Sequence, residues 1–177
     1  MRPTAAMIRN VTEEDSGAIA AIYAHHVAHG TASYDTTAPS IGDTLAKIRR
    51  VTGPGWPFIV AEQDGAVIGY AYATQFRDRA AYAWTCENSI YVHPDWQSRG
   101  IGKMLLRDLL TMAEAYGFRQ MVAVIGGAEP ASVRLHAACG FREVARLHAV
   151  GWKHGRWLDS IYMQIALGKG SSEPPEN

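Results

Sequence analysis

The chain has 177 residues, 47 % of them apolar, and its 17 lysines and arginines are balanced by 17 aspartates and glutamates. That length suits one domain with a substantial core, and zero net charge argues against a nucleic-acid partner, which calls for a basic face. Cys86 and Cys139 lack metal-type spacing, and no apolar run reaches the roughly 18 residues of a membrane helix, so a cytoplasmic protein in a reducing compartment is expected.

In chain order, residues 7–10 read as a short strand. Thr12-x-x-Asp15 reads as a capping box that opens a helix to about Val27, with Ile19, Ile22, Tyr23 and Val27 on one face. Residues 29–40 have turn formers and no period, and 41–51 form a second helix. Gly53-Pro54-Gly55 breaks it. Strands at 58–62 and 67–74 flank the hairpin signal Asp64-Gly65, with a bulge expected at Gly69. A polar link at 76–80 precedes a strand at 82–92. A helix follows with Ile101, Leu105, Leu109, Met112 and Tyr116 in step, and Gly117 ends it.

The run 120–125 is apolar throughout, as in a strand covered on both faces. Pro130 starts a helix to about Cys139. Strands at 141–150 and 156–166 close the domain at residue 167, joined around 151–155. Residues 168–177, GKGSSEPPEN, read as a disordered tail. The fold class is α/β: a single domain with a mixed, mostly antiparallel sheet flanked by helices.

Between strand 82–92 and the next helix lies Ser98-Arg99-Gly100-Ile101-Gly102-Lys103. Two glycines let a ligand approach the backbone, and free N–H groups at the helix start favour an anion such as a diphosphate. A dinucleotide fold needs a third glycine, and Leu105 stands in its place. The pattern Gln97-x-x-Gly100-x-Gly102 resembles instead the signature of the GNAT N-acetyltransferases. The segments IYAHHV, VIGYAYA, FRDRAAYAWTCENSIYVHP, MVAVIGG, SVRLHAACGF and VGWKHGRWLD narrow the resemblance to the phosphinothricin and methionine sulfoximine N-acetyltransferases.

That resemblance implies a cytoplasmic homodimer that moves acetyl from acetyl-CoA to the α-amine of phosphinothricin, methionine sulfoximine or methionine sulfone. It implies that Ile90, Tyr91 and Val92 hold the pantetheine arm, with residues 98–103 on the pyrophosphate. Glu129 stands where this branch commonly has Asn and, as a carboxylate, cannot donate as an amide does.

The chemistry needs a base, an acid for the leaving thiolate and a substrate grip. Glu87 lies in an otherwise apolar strand and is either the base or half of an ion pair with Arg77 or Arg79. Alternation puts Glu87, Ser89 and Tyr91 on one face and Cys86 and Asn88 on the other. His136 is either the proton donor or a core histidine. Arg77 and Arg79, flanking Asp78, suit a carboxylate or phosphinate, and Tyr34 covers the same pocket; Asn88 and Ser89 complete the expected substrate contacts. His25 and His29 share a helix face without a third ligand, so no metal is expected. Two further functions stay open: an acetyltransferase for a peptide or protein amine, and a CoA-binding sensor without turnover.

Overall fold

The computed structural model describes residues 5–175. Its elements are β1 (Met7–Asn10), α1 (Ser16–His29), α2 (Ile41–Thr52), β2 (Phe58–Gln63), β3 (Ala66–Gln75), β4 (Thr85–Val92), α3 (Ile101–Tyr116), β5 (Gln120–Gly126), α4 (Pro130–Ala138), β6 (Arg142–Lys153) and β7 (Arg156–Ala166). The seven strands form one sheet in the order β1-β2-β3-β4-β5-β7-β6. Only the central β4–β5 pair is parallel.

Local chemistry sets several boundaries. The Thr12 N–H donates to Asp15 Oδ2 at 2.7 Å, which closes the expected capping box, and a 3-10 turn over Glu13–Asp15 leads into α1. A second box, unread in the sequence, starts α2: the Asp43 N–H donates to Ser40 Oγ at 3.1 Å and the Ser40 N–H to Asp43 Oδ2 at 2.9 Å. Asp64 and Gly65 take φ of 51° and 79°, as a two-residue hairpin turn requires. Ala61 pairs with Gly69 but Glu62 with Val67, so Ile68 is the extra residue of a bulge next to the expected glycine.

Three boundaries differ from the sequence reading by more than one residue. β4 starts at Thr85 because Ala80–Tyr82 form a 3-10 turn. α1 runs on to His29. β6 continues through Lys153 because only His154 and Gly155, with φ of 51° and 71°, turn the chain; Gly151 and Trp152 stay paired with Leu158 and Trp157. Residues 168–175, read as tail, form turns in which the Arg119 guanidinium donates to the Pro174 carbonyl at 3.2 Å. Residues 176–177 of that stretch lie outside the described residues.

Alternation along β2 and β3 builds a core on each face of the sheet. Ile59, Ala61 and Ala71 meet Leu105, Leu106 and Leu109 of α3. Phe58, Val60 and Tyr70 meet Ile19, Ile22 and Tyr23 of α1 and Ile48 of α2. Leu105 is fully buried at the centre of the α3 side. Leu105→Ala is expected to cost about 2–5 kcal/mol, from lost transfer energy plus the cavity left behind, read as a lower urea midpoint.

Candidate active site

The site arises where the two parallel strands part. The β4–β5 ladder runs from Thr85↔Gln120 to Glu87↔Val122 and stops, although both strands continue. Strand parity fixes what faces the gap. The Thr85 carbonyl accepts from Phe76 N–H and the His93 N–H donates to the Ile68 carbonyl, so the odd residues of β4 turn their peptide groups toward β3. Asn88, Ile90 and Val92 therefore turn theirs toward β5, and Ile90 and Val92 lie beyond the last bridge. Of the three expected arm-binding residues, Ile90 and Val92 turn their backbone to the gap side, and the Val92 carbonyl there accepts from His26 Nε2 at 2.8 Å. Tyr91 does not: its ring packs edge-on against Tyr23 at 4.9 Å, and burial raises its phenol well above the usual value.

A cleft of about 270 Å³ fills the gap and passes through the plane of the sheet. Glu87 lines it from the α1 face. Its side chain is 31 % exposed, and Arg77 Nη1 stands 3.7 Å from Oε2. Burial raises the carboxyl above its ordinary range, and the Arg77 charge partly offsets this. The ion-pair and base readings of Glu87 are thus compatible. Ser89 lines the same cleft.

His136 lines it from the α4 side and is only 2 % exposed. Nδ1 donates to the Ser132 carbonyl at 2.8 Å, and Nε2 lies 3.1 Å from Asn88 Oδ1. The Asn88 amide nitrogen donates to the Val122 carbonyl at 3.4 Å. An acceptor at each ring nitrogen favours the doubly protonated ring. Burial is the larger effect and lowers the imidazole pKa. Asn88, expected as a substrate contact, has its side chain committed to His136 and Val122.

The loop between α1 and α2 roofs the cleft. The Tyr34 hydroxyl donates to the Asp159 carbonyl at 2.9 Å and lies 2.8 Å from Ser160 Oγ. Its ring rests on Gly151, where a Cβ would stand 2.6 Å from Cζ. Lys153 Nζ donates to the Ser33 carbonyl at 2.8 Å, and His154 Nε2 to the Gly30 carbonyl at 3.2 Å. The motif VGWKHGRWLD is therefore the seat of this loop. Its Asp159 side chain turns away, accepting from the Ala149 N–H at 3.0 Å.

Sequence reasoning missed several residues here. Asp35 Oδ2 accepts from the Tyr23 hydroxyl at 2.6 Å, and both residues line the cleft; burial, then that carboxylate, push the phenol up to about 12. Tyr23 carried only a core signal. The side-chain partners of Asp35 and Lys153 lie 12 and 120 positions away in sequence. Ser132 was accessible, being one helical turn before His136.

The Gly-rich turn lies apart from the cleft walls. Met104 N–H is the first helical donor of α3, onto the Gly100 carbonyl at 3.0 Å, so the N–H groups of Ile101, Gly102 and Lys103 precede it. Gly100 takes φ 83°, whereas Gly102 serves packing: a Cβ there would lie 3.1 Å from Leu135 of α4. Arg99 lies over the Trp96 ring at 5.0 Å, and Ser98, Arg99 and Lys103 are exposed. Glu129 precedes α4, its carbonyl accepting from Val133 N–H at 3.0 Å, and does not line the cleft. Nor do Arg77, Asp78 and Arg79, which are exposed beside its Glu87 end. Among the described residues, no group of three or more His, Cys, Asp or Glu is placed to hold a metal, and no helix is long and apolar enough to cross a membrane.

Residues 11–141 match the acetyltransferase (GNAT) family. The chain is 44 % identical to a phosphinothricin N-acetyltransferase of Alcaligenes faecalis, across 97 % of this chain and 88 % of the relative. It is 38 % identical to an L-methionine sulfoximine/L-methionine sulfone acetyltransferase of Salmonella typhimurium, across 90 % of this chain and 94 % of the relative. The crystal structure of a GNAT superfamily phosphinothricin acetyltransferase from Sinorhizobium meliloti, in complex with AcCoA, superposes with a TM-score of 0.96 at 45 % identity, covering 98 % of this chain and 95 % of the other.

Proposed function

We propose, from the premise that this chain belongs to the acetyltransferase (GNAT) family, that it acetylates the α-amine of amino-acid analogues of the phosphinothricin, methionine sulfoximine and methionine sulfone type. The chain is an N-acetyltransferase and acetyl-CoA is its co-substrate. The observation that carries the acceptor reading is the cleft through the sheet. It is lined from both sides of the sheet, by Glu87 and Tyr23 on one and His136 on the other, so the two reactants can meet between β4 and β5.

The turn from Ser98 to Lys103 takes the pyrophosphate on its free N–H groups. The arm of the cofactor follows the gap-facing backbone of Ile90 and Val92, whose N–H groups polarise the thioester carbonyl. The acceptor lies under Tyr34 and beside Ser89, with Arg77, and Arg79 beyond Asp78, at its anionic end. Glu87 removes a proton from the ammonium, directly or through one water. The amine then forms its C–N bond as the C–S bond breaks, the nitrogen releases its remaining extra proton to water, and His136 protonates the departing thiolate. Asn88 orients His136.

Residues 1–167 make up the catalytic domain of this reading. β6, at the sheet edge, exposes Val144, Leu147, Val150 and Trp152, and β7 adds Trp157, which is 64 % exposed. This apolar edge suits a homodimer. The compartment is the cytoplasm, where acetyl-CoA and reduced Cys86 and Cys139 are both at home.

Thiol release from acetyl-CoA, measured over a panel of amines, tests the function. Phosphinothricin, methionine sulfoximine and methionine sulfone are expected to release CoA. A blank on all three with release on a peptide amine would replace the acceptor class. Bound acetyl-CoA with no release over the whole panel would make the protein a sensor.

A further inference from the structure

Arg77 stands between two anions, one present and one expected. Its guanidinium lies over the Phe76 ring at 4.0 Å, and Nη1 donates to the Phe76 carbonyl at 2.9 Å. The same Nη1 is 3.7 Å from Glu87 Oε2, too far for a hydrogen bond. Nε and Nη2 have no partner among the described residues. Arg77 is 50 % exposed, so an acceptor entering the cleft can reach those free donors.

We propose that Arg77 restrains Glu87 in the free enzyme, and that the acceptor's own carboxylate draws the guanidinium away and so releases the base. This deepens the reading of Glu87 as base and Arg77 as anion site, and rests on it. The physical case is a competition. The existing contact is a single, long, half-exposed ion pair, and such pairs are weak. An acceptor carboxylate can take two parallel N–H bonds from the unoccupied edge of the fork.

Losing Arg77 changes Glu87 in a useful direction. Burial and the Arg77 charge act in opposite senses on its carboxyl, so removing the charge leaves burial unopposed. A carboxylate with greater proton affinity is a better acceptor for the proton of an ammonium. The other ionisable groups lining the cleft are Tyr23 of α1, Tyr34 and Asp35 of the roof, Tyr72 of β3, Tyr91 of β4 and His136 of α4. None of them is a permanent cation. An amine without an anion enters the same cleft but leaves Glu87 restrained. Selectivity for amino acids over simple amines is then built into the base as well as into binding.

The test is a carboxyl ¹³C NMR titration of Glu87 without acetyl-CoA, so that no turnover occurs. Methionine sulfone and its decarboxylated amine serve as paired ligands, because both carry the ammonium and only one the carboxylate. The Glu87 midpoint is expected at higher pH in Arg77→Gln than in the wild type. In the wild type it is expected higher with methionine sulfone than with the amine, and that difference should vanish in Arg77→Gln. The KM for methionine sulfone should rise about 10- to 100-fold in the variant. A raised KM with an unmoved midpoint would overturn the restraint and leave the anion site standing. An unchanged KM with an unmoved midpoint would remove both. A ligand difference that survives in Arg77→Gln at saturation would mean that the carboxylate acts on Glu87 directly, against the proposal.

Discussion

Glu87→Gln is expected to lower kcat by about 10²- to 10⁴-fold while acetyl-CoA affinity stays near wild type. The two side chains have the same shape, and the residue is fixed by its β4 backbone opposite Thr74 and Val122. What the variant loses is the capacity to take a proton. The carboxylate lies on the α1 face of the sheet, whereas the turn proposed to take the pyrophosphate lies at the start of α3, so cofactor binding has no reason to change. Steady-state kinetics with methionine sulfone and direct titration of acetyl-CoA separate the two quantities. Turnover close to wild type would leave Glu87 as an ion-pair partner only.

Gly151→Ala is expected to damage acceptor use more than fold. A methyl group at 151 would meet three atoms of the Tyr34 ring at 2.6, 2.8 and 3.0 Å. The ring has little room to yield because its hydroxyl is tied to Asp159 and Ser160. Overpacking of this kind costs about 1–3 kcal/mol. The displaced ring belongs to the roof of the cleft, and a misplacement near 1 Å can cost on the order of 10²-fold in rate. The expected signature is a fall of that order in kcat/KM for the amine with acetyl-CoA binding intact. Wild-type kinetics would show that the roof does not position the acceptor.

The elements and the Gly-rich turn could be read from sequence because their determinants are local. Alternation in β2 and β3, the helical stripe of α3 and the Gly-Ile-Gly turn each need only a few neighbouring residues. Alternation also separated Glu87 from Asn88 correctly: Asn88 goes with His136 and Glu87 with the α1 side. Gly102 was legible as special, and the structure adds that its missing Cβ makes room for Leu135. The roof was the opaque part. Tyr34 and Ser33 are held by residues more than 100 positions away, and no period or spacing reports such contacts. For the same reason VGWKHGRWLD served the sequence reading mainly as a mark of resemblance, and its role as the seat of this loop came only with the structure.

The parting of β4 and β5 also bears on solubility. A sheet normally has two edges, each able to recruit a foreign strand. Here the gap creates two more, inside the sheet, where the backbone of Ile90 faces an opening and the Val92 carbonyl is taken by His26 Nε2 at 2.8 Å. α1 and the Tyr34 loop shelter one mouth of that opening and α4 the other, so an extended chain has no straight approach. A slender ligand that carries amides along its length can still thread in and pair there as a short strand would. The fold thus carries an internal strand edge while shielding it from aggregation.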